Sequence, residues 1–119
     1  MAGAKPTGGA PAALRGSVVT VALQGDLGEP RPALIVQSDL FREHPSVTVV
    51  PITSELHAAP LLRLTLQPDT ANGLQQVSQL MIDKPQSVSR QRLKRVIGRL
   101  SADRMVEVNR ALALFLGLG

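Results

Sequence analysis

Apolar residues along this chain fall into short blocks separated by stretches rich in Gly, Pro, Asp and Ser, and only the C-terminal end carries a helical period. Residues 16–23 (GSVVTVAL) are β-branched and partly alternating, as a first strand should be. Residues 24–31 (QGDLGEPR) have loop chemistry, and residues 32–38 (PALIVQS) form a continuous apolar run that predicts a central strand. Residues 39–46 (DLFREHPS) read as a turn with one helical turn. Residues 47–54 (VTVVPITS) predict a third strand, in which Pro51 requires an edge or a bulge. In residues 61–67 (LLRLTLQ), Leu62, Leu64 and Leu66 share one face, and Arg63, Thr65 and Gln67 share the other. A turn at 68–74 (PDTANGL) leads to a strand at 75–83 (QQVSQLMID), and Val96 with Ile97 suggests a short returning strand within 84–100.

The terminal helix is the clearest element. Ser101 can cap it by accepting a backbone N–H, Asp103 sits in the first turn where the dipole favours an acid, and Gly117 is a natural stop. Met105, Val108, Leu112, Phe115 and Leu116 then form one apolar stripe. The pattern is mainly β (α+β): five or six short strands followed by a helix. Residues 1–14 (MAGAKPTGGAPAAL) carry one charge and no hydrophobic period, so a flexible tail precedes a single domain at 15–119.

Composition narrows the chemistry. At 119 residues the chain can bury one core, and with two Phe and no Trp or Tyr that core must be aliphatic. Cysteine is absent, which excludes disulfides and thiolate metal sites, and His44 and His57 are too few for most zinc sites, so neither metal nor cofactor is expected. No block approaches the ~18 consecutive apolar residues of a membrane span, and the N-terminus lacks a secretory pattern, so a cytoplasmic protein is expected. The net charge is +4, and eight of the thirteen Lys and Arg lie from Lys84 onward against two acids, Asp103 and Glu107. That asymmetry fits a polyanionic partner, and equally a solvated basic face.

Three stretches could carry function. Arg31 stands between Pro30 and Pro32, which restrain its backbone and would present the guanidinium from a rigid strand start, suited to stabilising charge on a phosphate. An ion pair with Asp26 or Glu29 is the plainer explanation of the same residue. Thr53 and Ser54 end the third strand, where two hydroxyls can meet a phosphate or simply serve a turn. In 83–95 (DKPQSVSRQRLKR), Arg90, Arg92 and Lys94 alternate, so an extended chain would show all three on one side and could track a phosphate backbone. Aromatic stacking platforms are missing there, which leaves Asp83, Gln86, Ser87 and backbone groups for base contacts.

Taken in order, these stretches resemble the MazF/PemK toxins of bacterial toxin–antitoxin systems. The likeness rests on RGSVVTVAL, RPALIVQSDLF, VVPITSEL, the MIDKPQSV region, IGRLS and the ending ALALFLGLG, and covers about residues 15–119. It implies a small SH3-like antiparallel β-barrel with a C-terminal α-helix, MazF/CcdB-like, usually a homodimer. It also implies a metal-independent endoribonuclease that cuts single-stranded mRNA at short sequences, leaving 2′,3′-cyclic phosphate and 5′-hydroxyl ends. The family's catalytic arginine and threonine fall on Arg31 and Thr53. The resemblance extends RNA binding to Ser54, Asp26, Asp83, Lys84, Gln86, Ser87, Arg90, Arg92 and Lys94. The implied protein partner is an acidic antitoxin covering the basic groove, with DNA reached only through that antitoxin.

The chain departs from the family in two places. Its first loop, QGDLGEP, is shorter than the usual GSEQ-like loop, with Asp26 standing for that acid. The (D/E)QIR(T/S) pattern becomes Asp83-Lys84-Pro85-Gln86-Ser87, which implies altered base recognition. Two other readings compete: a CcdB-like gyrase poison, against which the RP…ITS pair and the apolar C-terminus argue, and a catalytically silent nucleic-acid-binding barrel.

Overall fold

Alternation along the strands sends neighbouring residues into two separate cores. In the computed structural model, which describes residues 12–23 and 29–118, Val18, Leu34, Val50, Ile52, Leu66, Leu80 and Val108 pack on one side of the sheet. Val19, Val21, Ala33, Ile35, Val47, Val49 and Val88 pack on the other. Unbroken aliphatic runs in the sequence are therefore strands buried on both faces, each residue changing sides with the pleat.

The strands are β1 (Ser17–Val21), β2 (Arg31–Ile35), β3 (Ser46–Thr53), β4 (Arg63–Leu66), β5 (Ser78–Met81), β6 (Gln86–Ser89) and β7 (Leu93–Arg99), followed by helix α1 (Ala102–Leu116). All pairings are antiparallel, in the order β4-β5-β3-β2-β1-β7, with β6 also paired to β3. This order leaves two edges, β4 and β7, and the turn after β4 brings them together: the Arg99 N–H donates to the Ala71 carbonyl at 2.8 Å. The sheet thus curls into the barrel-like form that the family resemblance implied, with α1 against the first core.

Pro51 is accommodated by a change of partner. On one side it faces Ala33 of β2. On the other, β6 pairs with β3 only as far as Val49, and β5 begins at Ile52. The missing proline N–H falls in the gap between two partner strands, so β3 stays interior without the edge or bulge that its sequence suggested.

Three further expectations need correcting. Residues 84–100 hold two strands, β6 and a long β7, where the sequence suggested one short one. The two are joined by a 3-10 turn at Arg90–Arg92 capped by the Ser89 hydroxyl. An extended stripe of Arg90, Arg92 and Lys94 therefore does not form: the Arg90 Nε donates to the His44 carbonyl at 2.6 Å, and Arg92 reaches the Ala22 carbonyl at 3.5 Å. In α1, Val108 is fully buried and Met105 and Leu112 pack against the same core, but Phe115 and Leu116 are 44% and 53% exposed.

The helix limits are as the sequence implied, with the Arg104 N–H donating to Ser101 Oγ at 3.2 Å and Gly117 left-handed at φ 73°. Residues 1–11 of the expected tail lie outside the described residues. The Leu14 N–H donates to Ser17 Oγ at 3.1 Å, and Ala13 packs on the second core. No described helix is long and apolar enough to cross a membrane.

Candidate active site

The antiparallel register of β2 and β3 places Ala33 opposite Pro51. Continued by two residues, the same register sets Arg31, the first residue of β2, across from Thr53, the last of β3. Both side chains line one cleft of about 220 Å³, with Ser54 beside them. Arg31 and Ser54 are exposed and Thr53 is half-buried. The Thr53 Oγ1 accepts the Glu55 N–H at 3.0 Å, which fixes the hydroxyl and leaves its proton to donate outward. Ile52, Pro32, Leu74 and Ile97 give the cleft an apolar floor, and Thr20 adds a third hydroxyl from β1.

The opposite wall comes from the turn after β4, which the sequence marked only as a turn. Asn72 organises it from a buried position, 4% exposed. Its Oδ1 accepts the N–H groups of Asp69 (3.1 Å) and Leu74 (2.9 Å), its Nδ2 donates to the Gln67 carbonyl (2.8 Å), and its own N–H donates to Asp69 Oδ1 (2.7 Å). Gly73 follows at φ +71°, where an added Cβ would lie 2.0 Å from the Ile97 carbonyl oxygen. Gly98 faces the turn as closely, with a Cβ there 2.4 Å from the Ala71 oxygen. Two glycines thus let the turn press against β7, and Gly73, Leu74, Gln75, Gln76 and Ser78 become the cleft's far side. Sequence reasoning missed these residues because the contact joins segments more than twenty positions apart, and the only signal was a glycine on each.

The remaining RNA-binding candidates are not gathered here. Asp26 lies outside the described residues. Asp83 is taken up by an ion pair with Arg63, and Lys84 Nζ stands 3.8 Å from its other oxygen. Burial pushes the Asp83 carboxyl up, but the hydrogen bond from Arg63, backbone hydrogen bonding and the charges of Arg63 and Lys84 together hold it below its ordinary value. Gln86 faces Val49, and the Ser87 hydroxyl meets Thr48 Oγ1 at 3.1 Å. These positions flank the first half of β3, and Thr48 is about 17 Å from Thr53 at the ~3.3 Å rise of a strand. Lys94 is exposed on β7.

A larger concavity of about 460 Å³ lies beside the start of α1. Arg104 binds Glu107 and the Thr65 carbonyl, and Arg99 donates to the Arg15 carbonyl at 3.3 Å. Among the described residues no three His, Cys, Asp or Glu side chains group to hold a metal ion. The chemistry available in the smaller cleft is that of a guanidinium, several hydroxyls and neutral amides.

A curled antiparallel sheet, one C-terminal helix and a polar cleft at the ends of β2 and β3 define the class of small MazF-like toxin folds. The structure resembles the Mycobacterium tuberculosis toxin MazF-mt6, with a TM-score of 0.74 at 28% identity, over 87% of this chain and 98% of that one. It is similarly close to an endoribonuclease in complex with its cognate antitoxin from mycobacterial species, with a TM-score of 0.74 at 25% identity, over 89% and 96% of the two chains. Over 105 residues the sequence is 49% identical to a probable endoribonuclease MazF of Mycolicibacterium smegmatis, covering 87% of this chain and 96% of that protein. Residues 14–116 match the family of PemK-like, MazF-like toxins of type II toxin–antitoxin systems. The chain belongs to that family, as the order of its motifs had implied.

Proposed function

We propose that the chain is an endoribonuclease toxin that cuts single-stranded mRNA without a metal ion, at the cleft shared by Arg31 and Thr53. The observation that carries this reading is the meeting of a guanidinium and a hydroxyl from two adjacent strands at one small concavity. In the reaction, the 2′-oxygen of the nucleotide before the cut forms a bond to phosphorus while the bond from phosphorus to the 5′-oxygen breaks. The 2′-hydroxyl proton passes to solvent, and the departing 5′-oxygen takes one up. The products are a 2′,3′-cyclic phosphate and a 5′-hydroxyl.

Arg31 stabilises the negative charge that grows on the phosphorane oxygens, and Thr53 donates its O–H to one of them. A guanidinium keeps its proton at neutral pH, so its role is electrostatic. The requirement for a 2′-hydroxyl selects RNA over DNA. A related endoribonuclease is known in complex with its cognate antitoxin, and this chain is held by an antitoxin in the same way; the resemblance to MazF/PemK toxins adds a homodimer that meets DNA only through the antitoxin.

The test is to incubate a long RNA in chelator, map both new ends, and repeat with a 2′-deoxy nucleotide before the cut. Cyclic phosphate ends, lost on deoxy substitution, support the reading. Intact RNA would reject it, and intact RNA together with gyrase-dependent DNA breaks would favour the CcdB-like alternative.

A further inference from the structure

The far wall of the cleft has no task in the chemistry above, yet it is built with care. Gln75 and Gln76 are exposed, line the same cleft as Arg31 and Thr53, and follow directly on the Gly73 turn. Among the described residues neither side-chain amide takes part in a hydrogen bond. The Gln76 carbonyl accepts the Ser78 hydroxyl at 2.9 Å, which fixes the backbone and leaves the side chain to point elsewhere. Asn72, and the close approaches of Gly73 to Ile97 and of Gly98 in β7 to Ala71, hold the base of this wall still. A solvated loop would need none of that restraint.

A glutamine amide carries an acceptor and two donors side by side, so it can pair with the edge of an unstacked base. The cleft's volume of about 220 Å³ is below the ~300 Å³ at which pockets begin to enclose drug-sized ligands. It therefore suits one base, not several. The only aromatic residues, Phe41 and Phe115, are elsewhere, so recognition at this point is by edge and not by stacking.

We infer that Gln75 and Gln76 are specificity-determining residues that read the base next to the scissile phosphate. This rests on the nuclease reading and assigns it a recognition wall distinct from Gln86 and Ser87, which pair along the other half of β3, and from Asp83, which is held by Arg63. Exchanging an amide for a carboxylate replaces donors by acceptors and should turn preference toward bases that offer an amino group, such as cytosine or adenine.

The experiment is cleavage of an RNA pool with randomised sequence, with every cut position read out, for the full chain and for Gln75→Ala, Gln76→Ala, the double alanine variant and Gln76→Glu. The expected result is cleavage retained, with discrimination at one position beside the cut reduced about ten-fold in the double alanine variant, and shifted toward amino-bearing bases in Gln76→Glu. Unchanged preference at every position in all four variants would overturn the inference while leaving the nuclease reading intact. Loss of all cleavage in variants with unaltered circular dichroism would also overturn it, since the wall would then be part of catalysis. If the unsubstituted chain cuts no RNA, the nuclease reading fails and this inference falls with it.

Discussion

Arg31 opens β2 and Thr53 closes β3, and the register that pairs Ala33 with Pro51 carries these two residues to facing positions on a shared cleft. The prolines flanking Arg31 fix its backbone, and the partner change at Pro51 lets β3 run on to deliver Thr53. One strand pairing thus determines how the two groups meet.

The Thr53 hydroxyl should matter more than its bulk. Thr53→Ser keeps a donor and should retain most cleavage, within about ten-fold of the parent. Thr53→Val keeps the shape, removes the donor and should lose on the order of 100-fold, the usual cost of one oxyanion-type hydrogen bond. Single-turnover rates on a short RNA check this. Equal rates for the serine and valine variants would assign Thr53 to packing.

Asn72 should prove a stability residue with a remote effect on the cleft. Asn72→Ala strands two N–H donors and a carbonyl, at about 1–3 kcal/mol for the buried groups left unpaired. The melting temperature should fall by several degrees or more. Thermal denaturation followed by circular dichroism measures it, and a melting point unchanged from the parent would refute the role.

The Asp83–Arg63 pair should make stability depend on acid. Because the folded carboxyl titrates below its ordinary 3.8, the unfolded chain takes up the proton first as pH falls. The contribution of the pair is present above that value and is lost as pH drops through the folded pKa. Asp83→Asn should therefore be less stable than the parent near pH 6, and the difference should shrink as pH falls below the ordinary carboxylate value and through the lowered folded one. Urea midpoints across that range test this, and a constant difference would contradict it.

RNA affinity should weaken with salt through cations near the cleft. Arg95 pairs with Thr20 in the β1–β7 ladder, and Thr20 lines the cleft. Arg95→Ala should lower affinity for all sequences alike and flatten the slope of log affinity against log salt by about 0.7, the value for one phosphate contact on a single strand. An unchanged slope would place Arg95 outside the path of the RNA.

How much of this was legible in the sequence depends on the distance over which each feature is determined. The aliphatic runs fixed the places of β1, β2 and β3, since period-two burial is a local property. The cap at Ser101 and the stop at Gly117 are local too. Arg31 and Thr53 stood out through proline neighbours and a strand end, although only the register shows that they face each other. The stripe of Arg90, Arg92 and Lys94 failed because Ser89 caps a tight turn, and alternation means nothing once the chain leaves the extended state. Asp83 looked free to touch a base until β4 brought Arg63 across from Met81, two residues away. The Gln75–Gln76 wall was not legible at all, because it depends on Gly73 and Gly98 letting the turn press against β7.

The most direct test of the central claim is the cleavage rate of Arg31→Ala and Thr53→Ala on a single-site RNA in chelator, with folding verified by circular dichroism. The account expects each folded variant to fall by about 100-fold or more while still binding the RNA. A folded Arg31→Ala or Thr53→Ala protein that cuts at the parent's rate would contradict the claim that these two side chains act on one phosphodiester.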